Sequence, residues 1–376
     1  MPRFLSCLLA LFALSSWVEA TSAQALITED QLAFYRLRSF AAPGAEARLP
    51  INHLGIEGEW TSDGSYRITA ALESYPAHEA ELRRGDVIET INGEAFHPVF
   101  SLNPALRRGA SEAGAAWSEP VTLGYRRGEQ GFETRVTPVF ETLFDSYRTA
   151  TANSVLRLAA GNKIIGYVRL WALSRSTGDL IQLKQLVAAL ADTDGIVLDL
   201  RNSAGYLHSL HIDLFRASRS DYLQLASMSA DTQPSAQHLL LTQPRDSELG
   251  AYRRPIAILV DSSTRGSAAL LAHQLGKLAR ITTVGTTTSA QFGFYELGRG
   301  TGEDTSPNTE SQKNATREEA NAQAYRYVPA DELLVDGIML EGRGVEPERA
   351  NDYPFTQTSR VDPQFQLAVD ILMGVI

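Results

Sequence analysis

Ile196-Val197-Leu198-Asp199-Leu200-Arg201-Asn202-Ser203-Ala204-Gly205-Tyr206 decides the fold. Its opening run is apolar except for Asp199, the pattern of a short strand covered on both faces. Small and polar residues then turn the chain, and a helix is predicted from about Leu207 to Phe215. The same succession recurs on either side. Lys163 to Leu170 reads as a strand, and Asp179 to Ala191 as a helix with Leu180, Leu183, Leu186, Val187 and Leu190 on one face. Pro255 to Val260 is a strand, Ser267 to Leu278 a helix, and Ile281 to Val284 a further strand. Strands alternating with helices build a parallel sheet, so the class is α/β with a largely parallel sheet.

Upstream, from Leu49 to Phe140, the text is strand-like. Tyr66 to Leu72 and Val87 to Ile91 are candidate strands, and Asn92-Gly93 supplies a hairpin turn. Val121 to Arg127 and Phe132 to Val139 pair across a turn at Gly128 to Gly131. Before this region, Thr28-Glu29-Asp30-Gln31 has capping-box form and starts a helix reaching about Arg38, which Ala41-Ala42-Pro43-Gly44 ends. From Gly298 to Ala324 there is no aromatic residue and no aliphatic larger than alanine. Such a stretch cannot bury a core and is predicted to be a mobile surface insertion. Its Gly298-Arg299-Gly300-Thr301-Gly302 does not carry a strand into a helix, so it is no nucleotide loop.

The chain has 376 residues, 44% of them hydrophobic, enough for a packed core and for two domains or more. A formal net charge of -10 argues against nucleic acid as a partner, because its binders carry a basic surplus. Met1-Pro2-Arg3, the apolar run from Phe4 to Val18 and Ala23-Gln24-Ala25 form a secretory signal peptide. The run is shorter than the ~20 residues a membrane anchor needs. Cys7 sits before that run is complete, which disfavours a lipoprotein reading. Cleavage after Ala25 would remove Cys7, the only cysteine, and with it any disulfide or thiolate chemistry. The expected product is soluble and periplasmic or secreted. The organisation reads as signal peptide 1–25, helix and linker 26–48, a mainly-β module 49–145, an α/β core 150–350 with the insertion 298–324, and a tail with a helix 351–376.

Ligands of open α/β sheets gather at the carboxyl ends of strands, which singles out two loops. One is Asp199 to Tyr206, where Gly205 permits close backbone approach and helix N–H groups can hold an oxyanion. The other is Asp261-Ser262-Ser263-Thr264-Arg265-Gly266-Ser267, again a strand running into a helix start. Ser267 there is either a helix cap or a serine presented beside N–H donors. His208 and His211 lie three apart on one helical face with Asp213 nearby, but no third ligand is signalled, and they read as structural histidines. Nothing calls for a metal or a cofactor.

Taken together, these residues resemble the C-terminal-processing, or tail-specific, serine peptidases. The resemblance is carried by Leu54-Gly55-Ile56, Tyr75-Pro76-Ala77, Leu82-Arg83-Arg84-Gly85-Asp86-Val87-Ile88 and Ile91-Asn92-Gly93, which are PDZ-like. In the core it is carried by Gly166-Tyr167-Val168-Arg169-Leu170, Leu198-Asp199-Leu200-Arg201-Asn202, Val284-Gly285 and Gly344-Val345-Glu346-Pro347. It implies a crotonase-like α/β core and a PDZ domain, at 49–145, that holds polypeptide chain ends through Leu54, Gly55 and Ile56. It implies a serine–lysine mechanism, with an oxyanion hole near Gly205 and at the residue after the nucleophile, Ser267.

The decisive positions depart from the family. Without gaps, the nucleophile position falls on Gly266, the lysine position on Gln291, and the usual glutamate after the serine on Ala269. Glycine has no nucleophilic atom, and an amide is no base near neutral pH. Loss of the nucleophile costs about 10⁶ in kcat, or roughly 8 kcal/mol of transition-state stabilisation. The expectation is an exported homologue that binds unfolded or C-terminal polypeptide segments without cleaving them. The alternative is an active serine endopeptidase using Ser267. A one-residue shift at a helix start turns the side chain by about 100°, so Ser267 would need another base, such as His208. A crotonase-type enzyme acting on acyl thioesters is disfavoured by the PDZ-like text.

Overall fold

The computed structural model describes residues 49–107, 114–215, 225–227, 252–297, 325–329, 333–335, 337–356 and 362–374. The leader at 1–25, the helix read from Thr28 and the polar stretch 298–324 lie outside the described residues.

The amino-terminal region is mainly β. β1 (Pro50–His53), β2 (Ile56–Trp60) and β3 (Tyr66–Ala71) lead to the short helix α1 (Pro76–Glu79). β4 (Val87–Ile91) and β5 (Glu94–Ala95) flank the Asn92-Gly93 turn, and α2 (Pro104–Arg107) follows. β6 (Val121–Arg127), β7 (Gln130–Val136) and β8 (Val139–Thr142) complete it. The sheet order is β2-β3-β4-β6-β7, with β5 beside β4, so β2 is an edge strand. Alternating burial along β3 and β6 places Tyr66, Ile68, Val121 and Leu123 in one core with Leu54, Ile88 and Phe96.

Two expectations here are corrected. The hairpin turn is Gly128-Glu129, so β7 starts at Gln130. The strand also does not run through to Val139. Pro138 has no N–H to donate to the ladder, and the chain breaks there. Val139 to Thr142 pairs instead with β1, through His53↔Val139 to Pro50↔Thr142.

Helix α3 (Leu143–Asn153) joins the two regions. The Thr142 side chain caps it by accepting the Asp145 N–H at 3.1 Å. The core then runs β9 (Leu156–Ala160), β10 (Lys163–Arg169), β11 (Ala172–Leu173), α4 (Thr177–Ala189), β12 (Gly195–Asp199) and β13 (Ala204–Gly205). α5 (Ser209–Asp213), β14 (Leu225–Ser227), β15 (Ile256–Val260), α6 (Ser267–Gly276) and β16 (Ile281–Gly285) come next. β17 (Phe294–Leu297), β18 (Tyr325–Val328), β19 (Leu333–Val335), β20 (Ile338–Met339), β21 (Arg349–Ala350) and α7 (Pro363–Met373) close the chain.

The main sheet has the order β21-β16-β15-β12-β10-β9, parallel throughout except for the antiparallel edge pair β9–β10. β12 and β15 are buried at every residue, as their text, apolar but for Asp199, predicts for strands covered on both faces. One face packs Leu183, Val187, Leu198, Ile258, Leu271 and Leu275 with α4 and α6. The other packs Ile165, Val197, Leu259 and Val284 beneath Ala368 and Leu372 of α7. The helix expected from Leu207 to Phe215 is shorter, because His208 stands outside it as its cap.

Candidate functional site

The two loops read from the sequence meet at the carboxyl ends of β12 and β15. Asn202 adopts a left-handed φ of 58°, donates its N–H to Asp261 Oδ1 at 3.1 Å, and donates Nδ2 to Asp261 Oδ2 at 3.3 Å. Arg265 N–H donates to the Ser203 carbonyl at 3.0 Å, and Thr264 Oγ1 donates to the Leu200 carbonyl at 2.9 Å. These bonds fix loop 199–206 against the turn that opens α6.

Below them lies a charged knot. Asp199 is fully buried and accepts from Arg201 Nη2 at 2.6 Å and from the Tyr167 hydroxyl at 3.0 Å. Arg201 also donates to Asp362 at 2.6 Å and to Gln364 at 3.1 Å, tying the loop to the start of α7. Burial pushes the Asp199 carboxyl up, but the Arg201 and Arg169 guanidiniums outweigh it and hold it down at about 2. Asp199 is therefore an anion with its lone pairs in use, a fixed structural charge rather than a proton carrier.

Gly266 is the N-cap of α6, with φ 54° and ψ −120°. A side chain there would be strained in backbone terms, yet a Cβ would meet nothing closer than the Gln291 carbonyl oxygen at 4.0 Å. Gly266 N–H donates to that same oxygen at 3.1 Å. The positions read as nucleophile and lysine thus face each other across one backbone hydrogen bond. Gln291 is exposed, and its segment is pinned by Ser289 N–H to the Thr264 carbonyl at 2.9 Å. The neighbouring Phe292 and Gly293 N–H groups donate to Glu341 Oε2 at 2.8 and 3.0 Å.

Ser267 is the first residue of α6, not its cap, and the side-chain capping considered for it is absent. It is 1% exposed, and its Oγ has no hydrogen-bond partner among the described residues. The Ser203 hydroxyl is buried in the same condition. Ala269 is fully buried on the core side of α6. Gly205, at φ 118°, is held by its pairing with Leu173, whose carbonyl oxygen occupies the place of a Cβ. Only glycine fits this close approach.

The histidines do not share a helical face. His208 is extended, accepts the Leu210 N–H at 3.1 Å, and donates its own N–H to His211 Nδ1 at 2.9 Å. Burial lowers His211 to about 3, so it is neutral. Both side chains serve as caps of α5. No group of three or more His, Cys, Asp or Glu among the described residues can hold a metal ion.

Leu54 and Gly55 lie between β1 and β2, Ile56 opens β2, and all three are buried. The Gly55 N–H donates to His53 Nδ1 at 3.1 Å, while His53 Nε2 meets Ser146 Oγ at 2.9 Å. Leu143 and Tyr147 of α3 share a small pocket with these residues, and the Tyr147 hydroxyl donates to Glu57 on β2. The donor expected to face a chain-end carboxylate is thus engaged internally.

Contacts between the two regions were not legible in the sequence. Thr69 Oγ1 donates to Asn202 Oδ1 at 3.0 Å, and Trp171 Nε1 donates to Glu73 Oε2 at 2.5 Å. Arg84 lies over the rings of Phe355 at 3.8 Å and Tyr353 at 4.2 Å. Each joins residues far apart in the chain, and no local pattern marks such pairs.

A strand-to-helix turn with a positive-φ cap thus stands beside a glycine-bearing loop at the carboxyl ends of parallel strands, the place where ligands of open α/β sheets gather. Residues 164–304 match the sequence model described as peptidase family S41. The carboxy-terminal processing protease CtpB of Bacillus subtilis (strain 168) is 23% identical over 320 residues, covering 84% of this chain and 56% of that protein. The chain therefore spans little more than half the length of this curated relative. The photosystem II D1 C-terminal processing protease is 18% identical, with 88% of this chain and 78% of that one covered and a TM-score of 0.45. A putative S41 protease from Bacteroides fragilis NCTC 9343 is 16% identical, with 87% and 84% covered and a TM-score of 0.48. By sequence, then, residues 164–304 match peptidase family S41 and the chain resembles the C-terminal processing serine peptidases, a family of hydrolases.

Proposed function

We propose that the chain is an exported, PDZ-containing homologue of the C-terminal processing peptidases that binds polypeptide chain ends and lacks the catalytic serine–lysine pair. The observation that carries this reading is Gly266. It holds a strained helix-cap conformation with open space where a side chain would stand, directly against the backbone of Gln291. The neighbouring hydroxyl of Ser267 is buried, and no base reaches it among the described residues. The edge position of β2 supports strand addition by a bound peptide. With the Gly55 N–H engaged by His53, a chain end would have to displace that bond to reach the loop. Among the described residues no helix is long and apolar enough to cross a membrane.

A fluorophosphonate probe on the purified mature protein tests this. The expected result is no covalent label, with casein and a tailed unfolded reporter intact after hours and fluorescent C-terminal peptides retained. Labelling or cleavage that disappears in Ser267→Ala would establish the active endopeptidase instead.

A further inference from the structure

A second pocket lies beside β11. Phe144 of α3 and Leu183 and Leu186 of α4 give it apolar walls, and it is partly open to solvent. Asp179, in the first turn of α4, lines it too. Both Asp179 carboxylate oxygens are buried, and neither has a hydrogen-bond donor among the described residues. Burying a carboxylate without a donor is costly, so such groups are nearly always satisfied by some partner.

The nearest cation does not meet the need. Arg148 Nη1 stands 3.9 Å from Asp179 Oδ1, beyond hydrogen-bond range, and its Nη2 is already paired with Asp145 at 3.1 Å. Two carboxylates against one half-exposed guanidinium leave one negative charge unmatched. His211 also lines the pocket and is neutral, because burial lowers it to about 3. The complement to apolar walls beside a carboxylate that lacks a hydrogen-bond donor is a positive donor on an apolar stem.

The pocket adjoins the candidate site. Leu173 lines it, and the Leu173 carbonyl accepts the Tyr206 N–H at 2.8 Å, next to Gly205. A chain lying along loop 203–206 would have this pocket across the β11–β13 ribbon. We propose that the pocket receives a lysine or arginine side chain of the bound polypeptide, an inference that rests on the polypeptide-binding reading above. It makes the protein selective for basic segments.

Fluorescence anisotropy with a labelled alanine–serine decapeptide tests this, one position being lysine, arginine, norleucine or glutamate. The basic peptides are expected to bind the full chain about tenfold more tightly than norleucine, the ratio one charge-assisted hydrogen bond supplies. Glutamate should bind most weakly. Asp179→Asn should erase the preference, lysine and norleucine peptides then binding the variant equally. Equal binding of lysine and norleucine by the unmodified protein, a comparison that needs no variant, overturns the pocket assignment. So does a lysine preference that survives Asp179→Asn. Failure of all four peptides to bind overturns the polypeptide-binding reading itself.

Discussion

Three glycines around the candidate site have positive φ, and they separate two causes of strain. Gly266, Gly205 and Gly285 have φ of 54°, 118° and 136°. At Gly205 and Gly285 a Cβ would collide with the carbonyl oxygens of Leu173 and Val260, whereas at Gly266 it has free space. Gly266→Ser should therefore cost only the backbone term, about 1–3 kcal/mol. For a domain of this size that lowers the melting temperature by roughly 2–12 °C. Gly205→Ala and Gly285→Ala add backbone collision to the same term, together about 2–6 kcal/mol, a large part of a typical stability of about 5–15 kcal/mol. Thermal melts followed by circular dichroism should rank Gly266→Ser well above the other two. Gly266→Ser combined with Gln291→Lys should then gain fluorophosphonate labelling that the unmodified chain lacks. Melts in which Gly266→Ser falls with, or below, the other two would refute the open-space argument. A folded double variant that stays unlabelled would refute the assignment of these two positions.

Two further predictions concern pH. The Asp199 carboxyl sits at about 2 in the fold, against ~3.9 in the unfolded chain. Its stabilisation, about 2.6 kcal/mol, is complete above about pH 5 and is lost as pH falls through 2. Asp199→Asn should remove that part of the acid transition and, by leaving the buried Arg201 with Asp362 as its one carboxylate, cost up to about 3 kcal/mol at neutral pH; acid titrations parallel to the parent would refute this. His53 is lowered by burial to about 4 from an ordinary 6.5. The unfolded chain binds its proton first, so stability falls as pH drops through that window, by up to ~1.4 kcal/mol per pH unit. Melts of His53→Gln between pH 4 and 6.5 should show a shallower slope, and an unchanged slope would refute the neutral, buried histidine.

The parallel core was legible because its strands are covered on both faces. The apolar runs at 196–200 and 255–260 have no other stable arrangement, and their boundaries shifted by a residue or so. The two loops were legible for the same reason, since strand ends and helix starts fix where small residues must turn the chain. Helix α3 was not read, although Thr142 with Asp145 is a cap signal and Leu143, Phe144, Tyr147 and Ala150 form its buried stripe. Its first residues follow a strand without a break, which hides the change of period. Strand β8 was merged with β7 because the apolar text overrode Pro138. The pairing of β11 with β13 involves two residues on each strand and has no periodicity to detect. The capping histidines and the unmatched carboxylate of Asp179 depend on three-dimensional neighbours, which spacing alone does not name.

Trp171 carries a consequence of its own. Its indole is fully buried, donates to Glu73 from the amino-terminal region, and has the Arg169 guanidinium 3.6 Å from the ring centroid. Should the two regions part, the ring would lose its acceptor and meet water in one step. In a Trp60→Phe, Trp117→Phe background of the chain without its leader, its emission wavelength is thus an optical gauge of their separation that needs no added dye.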